Sequence, residues 1–121
     1  MTNVQLNFQI PQVGMNTQWI NDLDFVIEQY YDNSNFGVAS MARKMGLSER
    51  NLCYKLKQET NETPANYLKA YRLGKAYELL ASKKYRNIGD VCYQTGFNNV
   101  HSFARQFRQQ FGCTPIAIIR Q

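Results

Sequence analysis

Apolar residues recur at intervals of three and four along most of the chain, and no stretch sustains an apolar/polar alternation of period two. This pattern predicts an all-α fold with few or no strands. A first helix is expected from about Thr17 to Tyr31, where Trp19, Ile20, Leu23, Val26, Ile27 and Tyr30 share one face. The following stretch, residues 32–37, reads DNSNFG and is a turn by composition. A long helix is expected from about Pro64 to Ala81, with Tyr67, Leu68, Tyr71, Ala76, Leu79 and Leu80 on a broad buried side. Ser48 and the pair Asn98-Asn99 are candidate N-caps. Thr63-Pro64 and Thr114-Pro115 each set a capping hydroxyl before a proline at the first helical position. Breaks fall at Gly46, near Asn61, at 82–87, at Gly96 and at Gly112. Residues 1–16 carry Pro11, Gly14, many amides and no charge, and are expected to be a flexible arm or linker remnant.

The helical half of the chain repeats itself. Val38, Ala42 and Gly46 recur fifty residues on as Ile88, Cys92 and Gly96. Leu52, Leu56 and Lys57 recur at an offset of fifty-one as Phe103, Phe107 and Arg108, as do Asn61, Thr63 and Pro64 as Gly112, Thr114 and Pro115. Two copies of one supersecondary unit joined by a helix account for this. In each copy a small residue precedes a glycine by four positions, and a capped helix with apolar residues four apart follows. That is the sequence form of a helix-turn-helix. Ala42 and Cys92 allow two helices to approach closely, and Gly46 and Gly96 supply the left-handed backbone that ends the first helix.

Charge sharpens the picture. The net charge is +5, yet residues 1–37 hold four acids and no base. Residues 38–121 hold all 14 Lys and Arg against five acids, an excess of +9 that suggests a polyanionic partner. In the helix after Ser48, Leu52 and Leu56 point inward, so Arg50, Tyr54 and Lys57 occupy the opposite face. In the helix after Asn99, Phe103 and Phe107 point inward, and His101, Arg105 and Arg108 take the equivalent outward positions. Neither outward face holds an acid, as expected of a surface that meets nucleic acid rather than one merely solvated.

These residues resemble the DNA-binding domain of the AraC/XylS family of transcription regulators. The resemblance is carried by Pro64-x-x-Tyr67, Arg72, Ala76, Leu79-Leu80, Ile88, Gly96-Phe97, Phe103-x-Arg105-x-Phe107 and Gly112-x-Thr114-Pro115. Met41-Ala42, Gly46-Leu47-Ser48, Leu52 and Lys55-Leu56-Lys57 carry it in the first half, and it covers roughly residues 19–120. It implies seven helices in two homeodomain-like helix-turn-helix subdomains, joined by a long linker helix. The first unit would span about 17–63, the linker about 64–82 and the second unit about 87–121. The third and sixth helices would enter successive major grooves of double-stranded DNA. The family's base-reading slots fall on Arg50, Cys53 and Tyr54, and on Val100, His101 and Arg105. Phosphate contacts are expected from Ser48, Lys55, Lys57, Asn98, Asn99 and Arg108. Arg72 matches a linker-helix arginine whose role is structural. The resemblance further implies a sequence-specific bacterial transcription regulator, an activator acting with RNA polymerase. The chain reads as an excised output domain of a longer protein with an upstream sensing or receiver domain. Three positions depart from the family pattern. Cys92 stands where alanine is usual, and Ile118 and Ile119 replace an aromatic and an arginine, with Arg120 one place late.

Other classes find little support. His101 is the only histidine and lacks a neighbouring acid or nucleophile motif, so no enzyme is expected. Cys53, Cys92 and Cys113 are odd in number, widely spaced and without CxxC, which argues against a disulfide framework, a zinc site or any metal cofactor. A reducing, cytoplasmic setting fits. No apolar run is long enough to span a membrane, and the basic helices commit their apolar faces to a core rather than to a lipid surface. The alternative is a family-like protein-interaction module or anti-regulator without specific DNA binding.

Overall fold

A computed structural model describes residues 17–121; the arm expected over 1–16 lies outside the described residues. Those residues form seven helices and no strand, in the order α1 Thr17–Tyr30, α2 Val38–Lys44, α3 Glu49–Thr60, α4 Pro64–Ala81, α5 Ile88–Gln94, α6 Val100–Phe111 and α7 Pro115–Ile119. The capping residues read from the sequence set these boundaries. Ser48, Thr63, Asn99 and Thr114 accept from the backbone N–H three residues on, at 3.0, 3.2, 2.8 and 3.3 Å. Asn87 caps α5 as well, accepting from Gly89 N two residues on at 2.7 Å and from Asp90 N three residues on at 3.3 Å, although the sequence marks it only as part of a break. The repeat extends to backbone conformation. Asn61 and Gly112 end α3 and α6 in left-handed geometry, with φ of 65° and 78°.

Two separate apolar cores meet along α4. The first gathers Leu23, Ile27, Met41, Leu52, Leu56, Tyr67 and Tyr71. The second gathers Leu73, Ala76, Leu80, Val91, Cys92, Phe103, Phe107 and Ile118. The linker helix thus gives its N-terminal half to one unit and its C-terminal half to the other. Cys92 is fully buried, its small volume letting the two helices cross closely, and Ile118 fills the second core where the family pattern has an aromatic. Lys83 closes the end of α7, its ammonium donating to the carbonyls of Ile118, Ile119 and Gln121.

Acidic α1 is fastened to α4 by polar side chains as well as by its core face. Tyr67 donates to Asp24 Oδ1 at 2.6 Å, and Tyr71 donates to Glu28. Lys75 pairs with Glu28 at 2.8 Å and lies over the rings of Tyr31 and Tyr71. Burial would raise the Glu28 carboxyl, but hydrogen bonds from Lys75 and Tyr71 outweigh it and hold the group below its ordinary value. A folded-state value below the unfolded one adds stability that is present above the unfolded value and is lost as pH falls through the folded one. Glu28→Gln should therefore lower the melting temperature at neutral pH by several degrees, since a half-exposed pair of this kind contributes about 1 kcal/mol. The deficit should close as pH drops below the ordinary carboxyl value of 4.5. A deficit of equal size at pH 7 and at about pH 3 in thermal melts would contradict this assignment.

Candidate nucleic-acid interface

Each helix-turn-helix is built by the same local geometry. Gly46 takes φ 72° and Gly96 φ 91°. The turns close with Leu47 N donating to Ala42 O at 2.9 Å and Phe97 N to Cys92 O at 3.1 Å. Ala42 and Cys92 are buried at the helix crossing. Leu52 and Leu56 then seat α3, while Phe103 and Phe107 seat α6, all with no exposure. Seating one face fixes the other. Arg50, Cys53, Tyr54 and Lys57 are exposed on α3, and His101, Arg105 and Arg108 are exposed on α6.

The two exposed faces are chemically alike. Among the described residues, no carboxylate lies within ion-pairing distance of Arg50, Lys57, Arg105 or Arg108. Their charges are therefore unspent inside the protein. Tyr54 is 66% exposed, a large aromatic held out in solvent with its hydroxyl accepting from Gln58 at 3.2 Å. Arg105 stands over Ser102, its Nη2 3.5 Å from the Ser102 hydroxyl, which Gln106 also approaches at 2.7 Å. Ser48 and Asn99 spend an oxygen on capping and keep a hydroxyl hydrogen and an amide NH2 at the entrances of α3 and α6. Asn98 is exposed beside them.

Two expected contact residues are placed differently from the rest. Lys55 is half-buried, with its ammonium over the Trp19 ring of α1 and 3.9 Å from Glu59. It is committed inside the first unit and is not part of the open stripe. Val100 is half-buried and packs on the second core at the first turn of α6. Both lie on flanks of their helices, where one step of 100° separates an outward residue from a packed one.

The inter-unit contact is a feature the sequence did not reveal. Arg72 on α4 donates to Tyr31 O at 2.8 Å, and to Asn33 O and Phe36 O at 2.9 Å each. Gly96 of the second turn abuts this cluster. A Cβ there would overlap the Tyr31 carbonyl oxygen and lie 2.7 Å from Arg72 Nε.

A family model described as a helix-turn-helix domain matches residues 41–121. Histidine kinase P4 of Formosa agariphila is 33% identical over 90 residues, covering 74% of this chain and 6% of that protein. The HTH-type transcriptional activator RhaS of Escherichia coli O139:H28 is 33% identical over 93 residues, covering 77% of this chain and 32% of RhaS. The chain thus spans a third or less of the length of these curated relatives. A crystal structure of a Chromobacterium violaceum regulator, described as carrying an AraC-type DNA-binding domain, superposes with a TM-score of 0.78 at 23% identity, covering 87% of this chain and 92% of that one. The chain belongs to the AraC-type helix-turn-helix family, the class of DNA-binding domains found in transcription regulators.

Proposed function

We propose that this domain binds double-stranded DNA sequence-specifically by placing α3 and α6 in successive major grooves on one side of the duplex. The observation that carries this reading is the pair of acid-free basic faces at equivalent positions of a structural repeat, both mounted on one 18-residue helix. Arg50 and Tyr54 read bases in the first groove, and His101 and Arg105 in the second, with Cys53 and Val100 giving short contacts from the flanks. Lys57, Arg108, Ser48, Asn98 and Asn99 hold phosphates. Lys55 supplies positive potential rather than direct contact, because its ammonium is already engaged. The reading makes the domain the output unit of a larger cytoplasmic regulator. Its likeness to RhaS favours activation, with RNA polymerase as the further partner, and its likeness to a histidine kinase favours signal input from an attached sensing or receiver domain. The family and fold are those of DNA-binding regulators, which are generally not enzymes. The unneutralised bases on both faces disfavour an interaction module that has lost DNA binding.

Selection from random duplexes followed by sequencing tests the assignment. Arg105 can make two parallel hydrogen bonds to guanine. Arg105→Ala should cost about 1–3 kcal/mol on the preferred site and relax the preference at one base pair. Lys57→Ala should weaken binding to all sequences alike. An unchanged selected motif for Arg105→Ala would remove α6 from the base-reading role.

A further inference from the structure

Arg72 lies in sequence between Tyr71, which belongs to the first core, and Leu73, which belongs to the second. Helices pack within each unit and against α4, and the two cores share no buried residue. A cleft of about 400 Å³ separates the units beside α4, with Ser34 and Gly37 on one wall, Asn98 and Gln106 on the other, and Arg72 and Gly96 lining it as well. On the first-unit side of this boundary the guanidinium takes three backbone carbonyls from the segment that leaves α1, at residues 31, 33 and 36. On the second-unit side Gly96 leaves no room for a side chain, since a Cβ there would overlap the Tyr31 carbonyl oxygen and lie 2.7 Å from Arg72 Nε. The end of α1 and the turn that aims α6 therefore meet on one side chain.

We propose that Arg72 is a positioning residue that sets the angle between the two helix-turn-helix units, and so the base-pair spacing at which both recognition helices engage DNA. This rests on the two-groove reading above. A planar guanidinium offers five donors in a fixed fork, so three carbonyls on it define an orientation and not only a distance. Gly96 adds contact without a side chain that would hold the units apart. The required accuracy is high. One base pair more or less between half-sites moves the second by about 3.4 Å and turns it by about 35° around the duplex. A clamp that resists such a swing rejects sites that differ only in spacing, although Arg72 touches no base.

The test is a set of duplexes with the same two half-elements separated by one base pair fewer, the selected spacing, or one more. Each is titrated with wild type, Arg72→Met and Arg72→Lys. Met keeps the stem and removes all donors, whereas Lys keeps the charge but loses the planar fork. Wild type should lose about 100-fold or more when the spacing is wrong, because one half-site's base contacts are forfeited. Arg72→Met should flatten the profile to within about fivefold across the three spacings, and Arg72→Lys should flatten it to about 20-fold, between Met and wild type. A merely structural role predicts a different result, with affinity falling by the same factor at every spacing and the sharp profile retained. That result in a variant of wild-type helicity would overturn the inference. If Arg72→Met fails to fold, the profile of Arg72→Lys decides alone: flattened supports the clamp, and sharp overturns it. A wild type without any spacing preference would instead overturn the two-groove reading.

Discussion

Ala70→Pro should abolish sequence-specific binding while leaving a weak, salt-sensitive attraction to any DNA. Ala70 lies within α4, which runs unbroken through residues 64–81. Proline there removes the hydrogen bond to the carbonyl of residue 66 and drives its ring against that carbonyl, at a cost of about 3 kcal/mol. The helix downstream of residue 70 is about 17 Å long, so a kink of about 20° displaces its far end by about 6 Å. That exceeds the rise of one base pair, about 3.4 Å, so the two recognition helices would no longer reach their grooves together. The side chain at this position is only a methyl, and the effect is therefore carried by the backbone. Lys75, also within α4 and off its apolar stripe, would be a poor choice. Its pairing with Glu28 and its place over Tyr31 and Tyr71 mean that even Lys75→Ala would loosen α1. Ala70→Gly is the proper control, since it costs about 1 kcal/mol and keeps the hydrogen bond. Gel-shift titration on selected and scrambled duplexes reads the result. Unchanged specific affinity in a proline variant of wild-type helicity would show that the units do not act as a rigid pair.

A second large effect is expected from salt. Residues 38–121 hold all 14 Lys and Arg against five acids, and on the two recognition helices Arg50, Lys57, Arg105 and Arg108 carry charges that no carboxylate of the described residues neutralises. About six phosphates neutralised by Lys and Arg of this basic surface over two grooves release enough counterions to give a slope of log affinity against log salt near −5. Raising salt tenfold should then weaken binding by about 10⁵. A slope shallower than about −2 would fit one small patch and not an extended footprint.

The architecture was legible because its signals are local. Ser48, Thr63-Pro64, Asn99 and Thr114-Pro115 announce helix starts within three residues, and Gly46 and Gly96 announce the turns. The offset of fifty to fifty-one residues then exposed the duplicated unit. The outward faces followed from the inward ones, because Leu52, Leu56, Phe103 and Phe107 leave the polar stripe no other place. What stayed hidden depends on partners distant in sequence. Nothing near Arg72 marks three carbonyl acceptors 36 to 41 positions away, nor does Glu28 announce Tyr71 and Lys75. Lys55 looked like a surface cation because helical periodicity locates a side chain by angle alone. It cannot say that Trp19 of α1 lies within reach of that ammonium. Flank positions such as Val100 are the least determined by period, since a small rotation moves them between core and solvent.

The central claim is that one chain reads two grooves through a single rigid frame. Hydroxyl-radical footprinting of the monomeric domain on its selected duplex tests it most directly. The account predicts two protected windows on one face of the DNA, centred about one helical turn apart and together spanning roughly 20 base pairs, at one protein chain per duplex. One compact window, or two windows that appear only at two chains per duplex, would contradict it.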